Sequence, residues 1–337
     1  MKTKVILSTV AALFLVGILC VMPVLSQLPI GMVSYWEFDE GSGTAASDSS
    51  GNGNTGTLMH GPQWVSGVKE TALYFDGVDD YVSVPDSPTL RASGNAITVE
   101  LWFKPTVMLD SNTPALEIID KGNEYTFIMN LGPFQPTPNG KIGFLIVLKG
   151  PSWQWVETTT NQWNAETWYH LTGTYDGNCL KIYVNGELQN SQPLSGNLHW
   201  EFYPLAIGSY TLGGQWLFNG VIDEVAIYNI ALTSEEIQQH YQNGLNGLGY
   251  YPNAKVSMQK LIETIRTWNL PKGTENSLTA KLQNAIQSLE NGQENAAINK
   301  LSAFINEVKA QSGKKLANEQ ADTLVTEAQR IINTING

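Results

Sequence analysis

The chain has 337 residues, of which 42% are hydrophobic and only 15% are charged. The hydrophobic content is sufficient for a packed core and excludes a disordered chain, and the length fits about two domains. With 31 acidic and 19 basic residues the net charge is −12, which argues against binding to the phosphate backbone of nucleic acids. Two cysteines exclude a disulfide scaffold or a four-cysteine zinc site within one chain.

The N-terminus, residues 1–26, has the pattern of a targeting segment. Lys2 and Lys4 precede an apolar run that extends to Leu25. A short basic stretch before an apolar core is typical of an export signal, so we expect a secreted or cell-surface protein. The run of about 20 residues is also long enough to span a bilayer, which leaves an uncleaved membrane anchor as the alternative.

Short candidate strands, separated by Gly, Asn, Asp and Pro, fill residues 31–230. Many of them alternate β-branched or aromatic residues with polar ones, as half-buried strands do. Asp176-Gly177 and Asn185-Gly186 are hairpin-turn signals, because such pairs tolerate positive φ. The candidates are Val33–Phe38, Ala72–Phe75, Tyr81–Val84, Ile97–Lys104, Tyr125–Asn130, Lys141–Leu148, Trp153–Thr160, Trp168–Tyr175, Leu180–Val184, Leu205–Gly208 and Phe218–Tyr228. They predict a mainly β protein with an antiparallel two-sheet sandwich or jelly roll.

Helical patterns begin at residue 233. Thr233–Glu236 form a capping box, Asn243-Gly244 can end that helix, and residues 244–252 predict a Gly-rich, exposed linker. From Asn253 onward, apolar residues recur at spacings of three, four and seven, which places them on single helix faces. Four such stripes, with breaks at residues 271–273, 291–292 and 313, predict a small all-α bundle over residues 253–337.

Five segments in chain order resemble the LamG-like jelly-roll domains of the concanavalin A-like lectin/glucanase superfamily. They are the first strand and turn (33–43), the Asn/Gly loop (48–56), a strand pair (72–84), a central hairpin (168–186) and a closing strand (218–229). The resemblance implies a jelly-roll domain over residues 31–243. The C-terminal region, chiefly residues 301–310 and 321–335, resembles the FIMAH domain, a helical module of secreted microbial proteins. This second resemblance implies a location at the cell exterior rather than a chemistry.

The sequence contains no recognisable catalytic motif. The E-x-D-x-x-E pattern of hydrolases on this fold is absent. Glu117 and Asp120 are three residues apart and Asp223 and Glu224 are adjacent, so on regular strands each pair would point to opposite faces. There is also no HExxH pair, G-x-S-x-G elbow or P-loop. We therefore expect a non-enzyme, although carboxylates from different strands can still converge.

Three functions fit this sequence. They are a carbohydrate-binding module, a surface adhesion or structural protein that binds another cell-surface protein, and an atypical glycoside hydrolase. An exposed aromatic platform favours the first, a large apolar patch without one favours the second, and two carboxyl groups facing each other across a cleft favour the third. We favour binding of an extracellular polysaccharide or glycoprotein glycan, with membrane contact only through an N-terminal anchor.

Three tryptophans are the candidate ligand-binding residues. Trp153 and Trp155 are two apart on a candidate strand and are expected on one face, while Trp163 follows a polar stretch. Sugar C–H faces pack on exposed aromatic rings. The alternative for Trp153 and Trp155 is packing in the core.

A calcium ion is expected to hold loops of the sandwich together. The candidate ligands are Asp48, Asn52, Asn54, Asp76, Asp79 and Asp223. Carboxylate and amide oxygens are the ligands that calcium prefers, and Gly lets the backbone fold around the ion. The family resemblance implies that the Asn/Gly loop and Asp223 are partners. The alternative for each aspartate is capping of turn amides.

Overall fold

The computed structural model of the protein describes residues 31–92, 94–130, 139–150, 152–210, 214–250, 254–268 and 270–336. The predicted signal or anchor, residues 1–26, lies outside them. In the described segments the chain forms sixteen strands and five helices. The strands are β1 (Met32–Trp36), β2 (Ala45–Ala46), β3 (Gly56–Met59), β4 (Gln63–Ser66), β5 (Thr71–Asp76), β6 (Tyr81–Val84), β7 (Ile97–Pro105), β8 (Leu116–Asp120), β9 (Tyr125–Met129), β10 (Ile142–Leu148), β11 (Ser152–Glu157), β12 (Tyr169–Tyr175), β13 (Cys179–Val184), β14 (Glu187–Pro193), β15 (Leu205–Ile207) and β16 (Asn219–Tyr228). The helices are α1 (Ser234–Leu245), α2 (Ala254–Thr267), α3 (Lys272–Glu290), α4 (Glu294–Gln311) and α5 (Asn318–Asn336).

The strands form two antiparallel sheets that pack face to face, which confirms the predicted sandwich. Sheet A has the order β14-β13-β12-β7-β16-β5-β4, with β1 paired to β16. Sheet B has the order β11-β10-β9-β8-β15-β6-β3-β2. Apolar side chains from both inner faces, such as Phe103 of sheet A and Phe144 of sheet B, form the common core. Burial of this core is the main stabilising contribution to the sandwich.

Sequence patterns located the long strands and missed the short or polar ones. All eleven candidates correspond to strands, with ends that differ by a few residues. The missed strands are β2, β3, β4, β8 and β14. Four of them are five residues or shorter, and β14 is an almost wholly polar strand at the edge of sheet A, where most of its side chains are exposed.

Two β-bulges overturn the expectation that neighbouring carboxylates point to opposite faces. In β8 the register shifts between Glu117 and Ile119, so that Ile118 and Ile119 both enter the core. In β16 the register shifts between Asp223 and Ala226, with Ile222 and Val225 in the core. An extra residue in one strand breaks the alternation of faces. Glu117 and Asp120 therefore share the outer face of sheet B, and Asp223 and Glu224 share that of sheet A.

Helix α1 begins at the predicted capping box and packs on the outer face of sheet A. The Thr233 hydroxyl accepts from the Glu236 amide, and the Glu236 carboxylate accepts from the Thr233 amide. Ile237 of α1 joins an apolar cluster with Trp102, Tyr183 and Tyr250.

Part of the predicted linker 244–252 also lies on this face. Tyr250 stacks on Tyr35 and its carbonyl accepts a hydrogen bond from Asn243, while Leu245–Gly247 are exposed. Residues 251–253 lie outside the described segments. The exact domain boundary therefore stays a prediction. The expectation of an exposed linker is corrected for Gly249 and Tyr250, which are buried.

Helices α2–α5 form the predicted bundle. Helix α3 packs on α2 and α4, and α5 packs on α4 and α2. The predicted apolar stripes form its core, which includes Ile265, Leu282, Phe304 and Leu324. Within the described residues, none of the helices has the length and apolar character needed to cross a bilayer.

Candidate ligand-binding site

Two large aromatic side chains project from the connection between β14 and β15. Phe202 is 72% exposed and Trp200 is 37% exposed, and their rings meet edge to face with centroids 5.6 Å apart. The Arg91 guanidinium lies 4.4 Å from the Phe202 ring and 5.4 Å from the Trp200 ring. These distances permit cation–π attraction, which orients all three groups. We call Arg91, Trp200 and Phe202 the loop platform.

Arg91 is fixed from behind by Asp86. The Arg91 Nε lies 3.1 Å from one Asp86 oxygen and 3.3 Å from the other, and its Nη2 also contacts the carboxylate. Burial alone would raise the pKa of Asp86, but hydrogen bonds from Arg91 and Lys121 outweigh it and lower that pKa. Asp86 is therefore ionised at neutral pH and holds the guanidinium in a two-point contact.

A buried lysine supports the platform from below. Lys121 has no exposed surface, and its ammonium donates to Asp86 (3.0 Å), to Glu124 (2.8 Å) and to the Tyr203 carbonyl (2.5 Å). These three acceptors belong to the β6–β7, β8–β9 and β14–β15 connections. One ammonium thus joins three loops at one end of the sandwich.

Further hydrogen bonds fix the loop that carries the aromatic rings. The Glu201 amide donates to Glu124 (3.3 Å), and the Glu201 carboxylate contacts Asn123 (3.1 Å) and His199 (2.9 Å). Gly122 adopts φ 58°, and a Cβ there would lie 2.7 Å from the Tyr203 ring. Only glycine permits both this backbone conformation and this packing. The rings are therefore held in place before any ligand arrives.

A cleft of about 440 Å³ opens beside the platform. Arg91 lines it together with Asn52, Thr89 and Asn229. Guanidinium, amide and hydroxyl groups can donate to and accept from ligand hydroxyl groups. Arg91 is thus the residue that connects the aromatic rings to the polar cleft.

The predicted tryptophans lie elsewhere and do not form one surface. Trp153 and Trp155 pair with Val147 and Leu145 on the outer face of sheet B, where Trp155 is 37% exposed and Trp153 is half-buried. Trp163 has no exposed surface, and its indole donates to the Gly140 carbonyl. The expectation of a ligand-binding Trp163 is therefore corrected, because its ring packs in the core against Phe103 and Tyr169.

The Glu117–Asp120 pair lies on the same outer face of sheet B. Burial, followed by the Asp120 charge, raises the pKa of Glu117 to about 10. Glu117 Oε2 has no hydrogen-bond partner. Both residues are at most 3% exposed, so they do not face each other across an open cleft.

The Asn/Gly loop uses its predicted calcium ligands to hold its own backbone. Asp48 accepts from the amides of Tyr35 (3.0 Å), Ser50 (2.9 Å) and Asn54 (2.9 Å). The Asn52 and Asn54 side chains both donate to the Val33 carbonyl. These contacts correspond to the alternative role of capping turn amides.

The other three predicted ligands fall into two places. Asp76 and Asp79 come together with Asp80 in the β5–β6 turn, where one ligand atom of each lies within 4.8 Å of the others. Asp223 accepts from the Val68 amide (2.7 Å) on sheet A, and burial raises its pKa well above the usual range. Calcium binding itself stays a prediction.

Replacing Asp48 with alanine is expected to destabilise the sandwich even in a chelator. The change leaves three backbone amides without their acceptor, and loss of a partner for buried groups costs about 1–3 kcal/mol. Urea denaturation in EDTA measures this loss, with Glu187→Ala as the control at an exposed edge position. An unchanged midpoint in EDTA would show that the Asp48 contacts contribute nothing without metal.

The platform residues were missed because they lie in a loop. Segment 199–203 alternates polar and aromatic residues and ends before Pro204, which is neither a complete strand pattern nor a turn motif. An aromatic-rich segment outside every predicted strand was the available signal. The ring contacts with Arg91, more than 100 residues away, are visible only in the folded chain.

Comparison with known families identifies both domains. Residues 75–238 match the sequence profile of the concanavalin A-like lectin/glucanases superfamily, and residues 256–333 match that of the FIMAH domain. Mouse pappalysin-1 is 25% identical over 227 residues, which cover 64% of this chain but only 13% of that protein.

Solved structures resemble the sandwich at low sequence identity. The binding domain of Paraclostridial Mosquitocidal Protein 1 is 14% identical, with a TM-score of 0.52, over 64% of this chain and 52% of that one. Domain 4 of AbnA, an extracellular arabinanase of Geobacillus stearothermophilus solved with arabinotriose, is 22% identical, with a TM-score of 0.46, over 62% of this chain and 97% of that one. At 14% identity the first likeness supports the fold alone, and no conclusion is drawn from the second, whose TM-score is below 0.5.

Proposed function

We propose, for a chain that joins a domain of the concanavalin A-like lectin/glucanases superfamily to a FIMAH domain, that the sandwich binds an extracellular glycan on the loop platform. The observation that carries the proposal is an exposed pair of aromatic rings, Trp200 and Phe202, on a loop fixed by a buried ammonium. Contiguous exposed apolar surface with polar groups at its rim is one mark of a binding site, and the two rings in contact with Arg91 form such a patch.

The chemistry of the platform suits a sugar. A pyranose or furanose ring presents C–H groups that pack on aromatic faces, while its hydroxyl groups need hydrogen-bond partners. Arg91 supplies such partners beside the rings, and Asn229 supplies them in the cleft that Arg91 also lines. Because the loop is already ordered, binding loses little additional conformational entropy.

Trp200→Ala and Phe202→Ala are each expected to weaken glycan binding at least tenfold, which corresponds to about 1.4 kcal/mol. The ligand is first identified by a glycan-array screen of the chain, and affinities are then measured by calorimetry with the best-binding oligosaccharide. Leu188→Ala, which removes a 51% exposed side chain of β14, is the matched control and should bind normally.

The Trp155→Ala variant separates the platform from the outer face of sheet B. The proposal expects unchanged affinity for this variant. A loss confined to Trp155→Ala would move the site to sheet B, and unchanged affinity in Trp200→Ala and Phe202→Ala would reject the platform.

A protein partner is the second candidate for the same surface. Tryptophan and arginine are enriched among the residues that dominate protein interfaces, and Trp200 and Arg91 are in contact here. Absence of binding to any arrayed glycan, together with a protein ligand whose affinity falls in Trp200→Ala, would favour this reading.

We place no catalytic step in the sandwich. The carboxylate pairs Glu117–Asp120 and Asp223–Glu224 are buried, and a buried pair cannot reach a glycosidic bond.

Export through residues 1–26 and a structural calcium ion are further parts of the proposal.

A further inference from the structure

The two exposed rings of the loop platform meet at nearly a right angle. The planes of the Trp200 and Phe202 rings make an angle of 82°, and their centroids lie 5.6 Å apart. The Arg91 guanidinium lies over both rings, 4.4 Å from the centroid of Phe202 and 5.4 Å from that of Trp200, and so covers part of the aromatic surface. The faces that stay open to a ligand therefore cannot share one plane.

The backbone around the rings fixes this angle. Three alternate residues of the loop, at positions 199, 201 and 203, are tied to the sandwich through backbone hydrogen bonds. Their partners are the Val147 carbonyl (2.8 Å), the Glu124 carboxylate (3.3 Å) and the Lys121 ammonium (2.5 Å). Trp200 and Phe202 lie between these anchors, and edge-to-face contact is itself an attractive geometry for an aromatic pair. The angle is thus a property of the folded loop rather than one that a ligand must create.

A flat glycan surface cannot use both rings. Sugar C–H faces pack on aromatic faces with the two planes roughly parallel. Crystalline cellulose and chitin present their sugar rings in one plane, so packing on them requires aromatic rings that are coplanar. At an angle of 82° a flat array can reach Trp200 or Phe202, but not both. A chain whose neighbouring sugar units are turned relative to one another can place one C–H face on each ring.

We infer that the loop platform binds a single glycan chain that turns between neighbouring sugar units, as helical chains of the amylose or laminarin type do, and not flat crystalline polysaccharide or straight ribbon-like chains. The inference rests on the proposed function and adds the shape of the ligand to it. Arg91 also lines the cleft of about 440 Å³, which a single chain can enter and a broad crystal face cannot.

Retention on insoluble polysaccharide and calorimetry with soluble oligosaccharides test this shape in the full chain. The insoluble probes are microcrystalline cellulose and crystalline chitin, and the soluble probes are cellohexaose, maltohexaose and laminarihexaose. We expect no retention on either crystal. Maltohexaose or laminarihexaose should bind about tenfold more tightly than cellohexaose, because only a turned chain packs on both rings.

Single-ring variants show whether the preference comes from the angle between the rings. Phe202→Ala leaves one ring, so the preference for the turned hexasaccharide over cellohexaose should disappear. Leu188→Ala is the matched control and should keep the preference, and circular dichroism verifies that both variants are folded.

The outcomes separate this inference from the proposed function. Retention on cellulose or chitin that is lost in Trp200→Ala, equal affinity for cellohexaose and the turned hexasaccharides, or binding of neither turned hexasaccharide would overturn the inference. The proposed function would survive each of these results if another arrayed glycan binds and its affinity falls in Trp200→Ala. Glycan affinity that is unchanged in both Trp200→Ala and Phe202→Ala would reject the platform, and the inference with it.

Discussion

Replacing Lys121 with methionine is expected to lower the free energy of unfolding by about 3–5 kcal/mol. The change leaves Asp86 and Glu124 in partly or fully buried positions without their shared ammonium. Burial raises the pKa of Glu124, and the Lys121 ammonium partly offsets that rise. Without the ammonium, the ionised form of Glu124 is still less stable in the folded chain. Removing one partner of a buried ion pair costs more than the pair itself contributes.

Urea denaturation measures the effect, with Lys149→Met as the matched control. Lys149 is exposed on the neighbouring β10–β11 turn and should tolerate the change. Because Lys121 also holds the Tyr203 carbonyl, the variant should bind glycan weakly even where it is folded. A loss below about 1 kcal/mol, the level of a surface ion pair, would contradict the anchoring role.

Glu117→Gln is expected to stabilise the protein increasingly as the pH rises. Burial raises the pKa of Glu117 to about 10, whereas an unfolded glutamate titrates near pH 4.3. Between these values the folded chain retains a proton that the unfolded chain has lost, so the free energy of unfolding falls with rising pH by up to about 1.4 kcal/mol per unit. Glutamine removes this dependence.

The measurement compares the variant with the parent chain at pH 5 and pH 9. Other buried carboxylates titrate in both proteins, so the difference between the two isolates Glu117. The difference should be small at pH 5 and large at pH 9, while Glu187→Gln, at an exposed edge position, should show no such trend. A difference that is equal at both pH values would contradict the raised pKa.

The sequence predicted the fold wherever patterns are local. The capping box at Thr233, the helical stripes and the β-branched and aromatic residues of β7 are recognised from neighbours within a few residues, and the structure confirms them. The two bulges could not be predicted, because an extra residue in a strand is set by the partner strand rather than by its own sequence. For this reason the pairs Glu117–Asp120 and Asp223–Glu224 were assigned to opposite faces.

The candidate site was harder to predict than the fold. Trp163 follows a polar stretch and was therefore expected at the surface, yet its ring packs against Phe103 and Tyr169, which the fold brings together. The position of the platform loop depends on Lys121, which pairs with Asp86, 35 residues before it, and with Glu124, three residues after it. Such contacts between loops have no periodic signal. The structure thus corrects the expectation for Trp163, whereas ligand binding by Trp153 and Trp155 stays a prediction beside the proposed loop platform.

Two-dimensional NMR of the ten tryptophan indole groups tests the central claim most directly. The array-selected oligosaccharide is titrated into the ¹⁵N-labelled chain, and the Trp200 indole signal is assigned from its absence in Trp200→Phe. We predict that the Trp200 signal shifts with saturation, while those of the buried Trp36 and Trp163 stay in place. Shifts confined to Trp153 and Trp155, with Trp200 unmoved, would contradict a glycan site on the loop platform.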